Sequence, residues 1–197
     1  FPVESLGSSV IVPEAVSIRG EPSLVRIASA ADANTITLEP GGETFELALG
    51  EHREMVLESA TRITGTGAIL VAQFLVGQDY GGLRTRRSGT GDPALRLAIP
   101  EAQFRRSYVV LTPSSYEQSF VGVVAPTGLR VVLDDGVVSG WEEIEGTGYS
   151  RARVRVEGGV HRLDATVPFG LTVYGFGRYT SYMVSGGLDL RRISPPI

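Results

Sequence analysis

Short runs in which apolar and polar residues alternate, separated by glycine and proline, predict a chain built almost entirely of β-strands. The clearest run covers residues 149–156, where alanine and valine alternate with Arg151, Arg153 and Arg155. Alternate side chains of a strand point to opposite faces, so the apolar face is predicted to be buried and the arginine face solvated. The apolar run at 68–77 is predicted to be a buried strand, because it has only about half of the ~20 residues that a membrane-spanning helix needs.

A stretch at residues 168–190 mixes aromatic and β-branched side chains with glycines. Aromatic and β-branched residues favour strands, and glycines within a strand mark bends or places where another part of the chain approaches closely. We interpret this stretch as the central strand of a β-sandwich and the corner that follows it.

Turn residues predict two hairpins. Pro40 and two following glycines separate strand-like segments at 35–39 and 44–49. The segment from Asp134 to Gly136 separates two short valine-rich strands, and its Asp-Gly pair favours a type I′ turn. Between Gly77 and Pro93 the alternation disappears, which predicts a long loop or a linker between lobes. This segment also carries a group of arginines, namely Arg84, Arg86 and Arg87.

Three pairs of similar segments occur in the same order in the two halves of the chain. The paired segments begin at Ser23 and Ser119, at Gly50 and Gly159, and at Ile69 and Leu171. This order predicts two tandem antiparallel β-sandwich lobes of jelly-roll-like form, covering residues 1–90 and 91–197. The alternative is one larger sandwich to which each half contributes a sheet. The second pair of segments places His52 and His161 at matching positions.

The composition narrows the classes of function. Cysteine is absent, which excludes disulfides, thiolate metal sites and a cysteine nucleophile. All 18 basic residues are arginine, so chemistry that needs a lysine, such as a Schiff base, is excluded as well. The net charge of −4 argues against non-specific nucleic-acid binding, which depends on clustered positive charge. We therefore predict no nucleic-acid partner and no membrane insertion.

Few residues are arranged for catalysis. His52 and His161 are the only histidines, and a histidine present in both halves is interpreted as making structural hydrogen bonds. No serine lies in a G-x-S-x-G motif, and aspartates in turns, such as Asp134 and Asp135, are interpreted as capping their own backbone. We expect no catalytic residue, no metal site and no cofactor.

One enzymatic alternative stays open. A glycoside hydrolase needs two carboxyl groups on either side of the scissile bond. The chain could supply them from four acidic residues of its second half, which are Glu142, Glu143, Glu145 and Asp164.

The tyrosines predict a binding surface. Six of the seven tyrosines lie in the second half, and tyrosine is favoured at recognition surfaces because it combines a large apolar ring with a polar tip. Tyr174 alternates with Phe176 and is predicted to be in the core. The predicted ligand-binding residues are Tyr179, Tyr182, Tyr116 and Arg178.

Several segments of the second half together resemble one known family. They are GDPAL from Gly91, PEAQF from Pro100, SYVVLTPSSY from Ser107, FVGVVAPTG from Phe120 and PFGLTVYGFGRYTSY from Pro168. These segments resemble the N-terminal domain of the IgGFc-binding protein family, most strongly over residues 91–190. The resemblance implies an extracellular, non-enzymatic module linked to adhesion, mucus-like matrices or the binding of surface ligands. Animal members are rich in cysteine, so the absence of cysteine places this chain with the bacterial relatives.

The leading hypothesis is therefore a secreted or cell-surface adhesion module that binds a surface glycan or an extracellular protein. The alternatives are a structural spacer within a large surface protein and, less favoured, a polysaccharide hydrolase.

Overall fold

The computed structural model describes residues 2–14, 23–77 and 91–195. This part of the chain contains 15 strands and no α-helix, so the prediction of an all-β fold is confirmed. Two single turns of 3-10 helix lie at Val3–Ser5 and Glu101–Gln103. None of the described helices could cross a membrane. The arginine group at 84–87, and most of the predicted linker, lie outside the described residues.

The first sheet is organised around one long strand. Its seven strands are β1 (Gly7–Val12), β2 (Ser23–Ser29), β3 (Asn34–Glu39), β4 (Thr44–Leu47), β5 (His52–Leu57), β6 (Thr61–Leu75) and β7 (Ala94–Leu97). The first part of β6 pairs mainly with β1 and β3, and its second part pairs with β2 and β7. Because β6 changes partners midway, the sheet curls around its own core of valine, isoleucine and leucine side chains.

A buried amide holds the bend of β6. The Asn34 side chain, which is fully buried, accepts a hydrogen bond from the Gly67 amide (2.9 Å) and donates one to the Ala68 carbonyl (3.1 Å). A Cβ atom at Gly65 would lie 2.7 Å from the Asn34 amide oxygen, so the close approach requires glycine.

The second sheet repeats this plan. Its eight strands are β8 (Arg105–Thr112), β9 (Gln118–Pro126), β10 (Val131–Leu133), β11 (Gly136–Val137), β12 (Glu142–Ile144), β13 (Tyr149–Val156), β14 (Gly159–Gly177) and β15 (Thr180–Ser185). The first part of β14 pairs with β8 and β10, and its second part pairs with β9 and β15. The described residues thus form two curled antiparallel sheets, each a sandwich-like lobe with its own core.

The predicted central strand is confirmed, because residues 169–177 form the buried second part of β14. Phe169 is fully buried there, and Tyr174 and Phe176 are buried as predicted. The alternation predicted for 149–156 is also observed in β13, with Ala152 buried and Arg153 and Arg155 exposed.

The two sheets match each other in the order in which their strands pair. The segment beginning at Ser23 forms β2 and β3, and the similar segment beginning at Ser119 forms the corresponding strands β9 and β10. The segments beginning at Ile69 and Leu171 lie in the central strands β6 and β14. The match between the segments at Gly50 and Gly159 is wrong. The first leads into β5 at the border of its sheet, and the second opens the central strand β14.

His52 and His161 consequently do not occupy equivalent positions. The division of the chain at residue 90 stays a prediction, although the hydrogen-bonded pairing of β7 with β6 places Ala94–Leu97 in the first sheet.

The predicted hairpin at Asp134 is present, but its turn type is not the predicted one. Leu133 pairs with Gly136, so Asp134 and Asp135 form a two-residue loop. Only Asp134 has a positive φ, of 51°, whereas a type I′ turn requires positive φ at both central residues. The Asp134 carboxylate accepts a hydrogen bond from the Arg162 amide (2.8 Å), which ties the loop to β14.

The lobes meet through an apolar cluster and a buried glutamine. Ile11 and Ile99 pack with Phe104 and Val124 between the two sheets. Gln103 is fully buried beside them. Its side chain donates to the carbonyls of Ser5 (3.1 Å) and Arg191 (2.6 Å) and accepts from the Arg191 amide (3.0 Å). These bonds join both ends of the described chain to the junction.

Candidate functional site

The candidate site lies at the tip of the hairpin formed by β14 and β15. Gly177 pairs with Thr180, so Arg178 and Tyr179 form a two-residue turn. Tyr179 has a φ of 54° and its side chain is 57% exposed. The Arg178 guanidinium carbon lies 5.6 Å from the centre of the Tyr179 ring, within range of a cation–π contact. The turn therefore presents an aromatic ring and a positive charge together.

Two further tyrosines lie behind this turn. The rings of Tyr116 and Tyr182 meet edge to face with their centres 4.7 Å apart. The Tyr182 hydroxyl donates to the Ser119 hydroxyl (2.9 Å), and the Tyr116 hydroxyl lies 3.2 Å from the hydroxyl of Thr180. Both tyrosines are half-buried, so they support the turn rather than project from it.

Glycines on the neighbouring strand make room for these rings. Gly175 pairs directly with Tyr182, and a Cβ atom at Gly175 would overlap the Tyr182 ring and lie 2.7 Å from the Gln118 carbonyl oxygen. A Cβ atom at Gly177 would lie 3.4 Å from the Tyr116 ring. The G-x-G spacing thus leaves a flat strip of backbone on which the tyrosines pack.

The four predicted residues are therefore close together but have different roles. We call the group Tyr116, Arg178, Tyr179 and Tyr182 the hairpin-tip surface. Arg178 and Tyr179 are exposed, whereas burial raises the pKa of Tyr182, whose hydroxyl is held as a neutral donor. The surface offers an aromatic face, a guanidinium and hydroxyls, which suit stacking and hydrogen bonding to a polar ligand.

The sequence predicted that the glycines of the 168–190 stretch, including Gly175 and Gly177, allow another part of the chain to approach closely, and this is confirmed here. It missed Ser119 and Thr180, whose hydroxyls bond to the tyrosines. An aromatic side chain paired with a strand glycine covers the exposed backbone, which is a recurrent cross-strand arrangement.

His161 lies in a separate hydrogen-bonded cluster. Its Nδ1 is 2.9 Å from the Asp134 carboxylate, and its Nε2 is 3.0 Å from the Glu157 carbonyl and 3.1 Å from the Thr112 hydroxyl. A carboxylate and a carbonyl both accept hydrogen bonds, so this geometry favours the imidazolium, which carries a proton on each nitrogen. Burial opposes that charge, but the bonds to Asp134 and Glu157 outweigh it and raise the pKa of His161.

This cluster resembles an Asp-His-hydroxyl triad but is built for structure. Thr112 is buried, and its hydroxyl donates to the Glu157 carbonyl at 2.6 Å, so it is not available to a substrate. The cluster joins β8, the β10–β11 turn and the start of β14, in agreement with the structural role predicted for His161. His52 is exposed at the start of β5.

The cluster predicts a pH-dependent stability. Because the pKa of His161 is raised, its contribution to the free energy of unfolding is fully present at a pH below 6.5, the ordinary pKa of histidine. This contribution is lost as the pH rises through the raised pKa. The hydrogen bond with His161 lowers the pKa of Asp134, whose contribution is lost only as the pH falls through that lowered value. We expect His161→Gln to destabilise the protein more at about pH 5.5 than at about pH 8.5 in urea unfolding. His52→Gln is the matched control, and an equal effect of His161→Gln at both pH values would contradict the prediction.

The carboxylates considered for a hydrolase are partly engaged in ion pairs. Glu142 pairs with Arg151 (2.7 Å), and Asp164 pairs with Arg162 (2.6 Å). Arg151 also pairs with Glu14 at 2.9 Å, which links the two lobes. Within the described ranges, no group of three or more histidine or acidic side chains is placed to hold a metal ion.

Comparison with known proteins gives one family match. A family model described as IgGFc binding protein matches residues 1–175, which takes in Tyr116 and ends before Arg178. No curated protein matches the chain. Among solved structures, an anti-sigma factor domain-containing protein is similar at 9% identity and a TM-score of 0.26, over 90% of this chain and 82% of the other. So low a TM-score supports no argument about fold or function.

Proposed function

Because the chain belongs to the IgGFc binding protein family, we propose that it is a non-enzymatic adhesion module of the cell surface or the secreted fraction, binding a glycan or a protein through its hairpin-tip surface. Family membership supports the general class, an extracellular protein-binding module. The matched residues stop at 175, so the choice of surface depends on the geometry of the hairpin.

The observation that carries the proposal is that Tyr179 is a strained, exposed aromatic residue at a hairpin tip, next to the exposed guanidinium of Arg178. A residue other than glycine with φ near +54° is strained by about 1 kcal/mol, because its Cβ approaches the backbone. An exposed ring recovers little of that free energy through burial. Strain retained at an exposed aromatic residue is typical of functional positions.

The charge of Arg178 adds to the chemistry of the site. Among the described residues, no carboxylate forms an ion pair with Arg178, which is exposed next to the Tyr179 ring. A guanidinium can bind a carboxylate or sulfate through two parallel hydrogen bonds. An acidic glycan or an acidic protein segment would satisfy the charge while it stacks on the ring.

The alternative of a linear spacer is less consistent with the path of the chain. The Ile193 amide donates to the Glu4 carbonyl at 2.7 Å, so the first and last described segments lie side by side. A spacer gains length by holding its two ends apart, whereas this arrangement brings them to one place.

Tyr179→Gly tests the proposal directly. We expect the substitution to raise the free energy of unfolding by about 1 kcal/mol, because glycine adopts positive φ without strain. Binding should fall at least about tenfold, since exposed aromatic anchors of this kind contribute more than ~1.4 kcal/mol. Binding would be measured on immobilised mucin, on the same mucin after deglycosylation, and on IgG Fc.

Leu190→Gly is the matched control, because Leu190 has the same φ of 54° and is also exposed at 60%. This variant should gain stability without any change in binding. Loss of mucin binding on deglycosylation would identify a glycan ligand. Wild-type protein that binds none of the three probes would favour the spacer, and unchanged binding by Tyr179→Gly would remove the hairpin tip as the site.

A further inference from the structure

An apolar patch lies on the outward face of β8 and β14. Leu111 and Val109 of β8 are 67% and 63% exposed, and Val160, which pairs with Leu111, is 69% exposed. These are the three most exposed large apolar side chains of the described residues. They form a continuous surface, because Val109 and Leu111 are two residues apart and lie on the same face of β8, and Val160 is next to Leu111 on the neighbouring strand.

β8 is also a sheet edge with a free side. Within the described ranges it pairs only with β14. Soluble proteins commonly protect such edges with charged residues, proline or a bulge, because a free apolar edge pairs with other strands. β8 has Arg105 and Arg106 at its start and Pro113 just after its end, but no charged residue or proline between Ser107 and Thr112.

The first sheet shows that this openness is not a requirement of the topology. β1 holds the corresponding edge position beside the long central strand β6. Val10 of β1 forms a bridge with Pro100, and Val10, Ile11 and Val12 are all buried. Within the described residues, the chain therefore covers one edge with its own junction segment, while the equivalent edge of the second sheet has no strand paired to it.

We propose that a second copy of this chain covers the open edge, with the two β8 strands paired antiparallel about a two-fold axis at Val110. In this register Val109 lies opposite Leu111 of the partner subunit, and Leu111 lies opposite Val109 of the partner subunit. On the outward face the two Val160 side chains flank these pairs, so six apolar residues line up in one strip that crosses both subunits. The pairing is isologous, which is the commonest symmetry of protein dimers.

The register also separates like charges. Arg106 lies opposite Ser114 of the partner subunit, and Arg105 lies opposite Ser115 of the partner subunit, so no arginine faces an arginine. A shift of two residues in one direction places Leu111 against a serine. A shift in the other direction places Val109 against Pro113. Among these three registers, only the one centred at Val110 places Val109 and Leu111 opposite each other, and this self-complementarity favours a second copy over an unrelated partner.

The first test is the oligomeric state of the full chain, measured by sedimentation velocity over a range of concentrations. We expect a monomer–dimer equilibrium that Val109→Arg weakens at least about tenfold, because two charges would enter an apolar strip. Val56→Arg is the matched control, since Val56 is an exposed valine on β5, a border strand of the first sheet. A wild-type chain that stays monomeric, or a dimer that Val109→Arg leaves intact, would overturn the proposal.

A second test determines the register in which the two β8 strands pair. The chain has no cysteine, so Val109→Cys and Leu111→Cys introduce single thiols at exposed positions. Under mild oxidation, an equal mixture of the two variants should form a disulfide-linked dimer much faster than either variant alone, because positions 109 and 111 face each other only across the interface. Equal rates in the mixture and in the separate variants would exclude the antiparallel register at Val110.

Discussion

Gln103→Leu is expected to lower the free energy of unfolding by about 2 to 3 kcal/mol, because it removes the partner of the buried Ser5 carbonyl and of two part-buried backbone groups of Arg191. The Gln103 side chain bonds to the Ser5 carbonyl and to both the amide and the carbonyl of Arg191. Leucine has a similar volume but no polar atom, so the hydrogen bonds are lost while the packing is nearly kept. Urea unfolding would measure the loss.

The same substitution should release the last described segment before the sheets unfold. Residues 189–194 are held by Gln103 and by the backbone of Glu4, so limited proteolysis should cut near Arg191 at lower urea concentrations in the variant. Gln118→Leu is the matched control, because Gln118 is a half-buried glutamine on β9. If both variants lost similar stability, Gln103 would not be the specific link between the chain ends and the junction.

Gly175→Ala is expected to lower the free energy of unfolding by about 2 to 3 kcal/mol, since overfilling a packed site forces its neighbours to move. The added methyl group would overlap the Tyr182 ring and lie 2.7 Å from the Gln118 carbonyl oxygen. The ring is flexible and the backbone is not, so Tyr182 should be displaced. Displacement of Tyr182 would also move Tyr116, and binding by the hairpin-tip surface should decrease together with stability.

A double-mutant cycle separates the two causes of this loss. In the Gly175→Ala, Tyr182→Ala double variant the overlap with the ring is absent, so the combined loss should be smaller than the sum of the single losses. Gly136→Ala is the control for adding a methyl group to a strand glycine, because its Cβ would meet only the Leu133 carbonyl at an ordinary 3.6 Å. Strictly additive losses in the cycle would show that Tyr182 is not the group that requires glycine at 175.

The candidate site shows how much of a binding surface the amino-acid composition can predict. The concentration of tyrosine in the second half, with the polar, glycine-flanked context of Tyr179 and Tyr182, drew attention to this surface, and the fold places both residues around one hairpin with Tyr116 and Arg178. Composition could not show which of them are exposed. That depends on the pairing of Tyr182 with Gly175 and on the turn at Arg178 and Tyr179, both of which follow from the register between β14 and β15.

The repeat shows where sequence similarity misleads. The segments at Gly50 and Gly159 both combine glycine, histidine, arginine and a hydrophobic residue, yet one leads into a border strand and the other opens the central strand. A strand's place in a sheet depends on which distant strands hydrogen-bond to it. A short local match carries no information about those partners, so it paired two histidines that occupy unrelated positions.

Local sequence was sufficient for the all-β class, the position of the central strand at 168–177 and the alternation of β13, because strand period and turn chemistry involve neighbouring residues. The tertiary structure alone decided that Gln103 joins the described chain ends, that His161 binds Asp134 and that, among the described strands, β8 pairs on one side only. Gln103 and Arg191 are 88 residues apart, and His161 and Asp134 are 27 apart. Such contacts form only when the sheets curl and bring distant strands together, which no local pattern records.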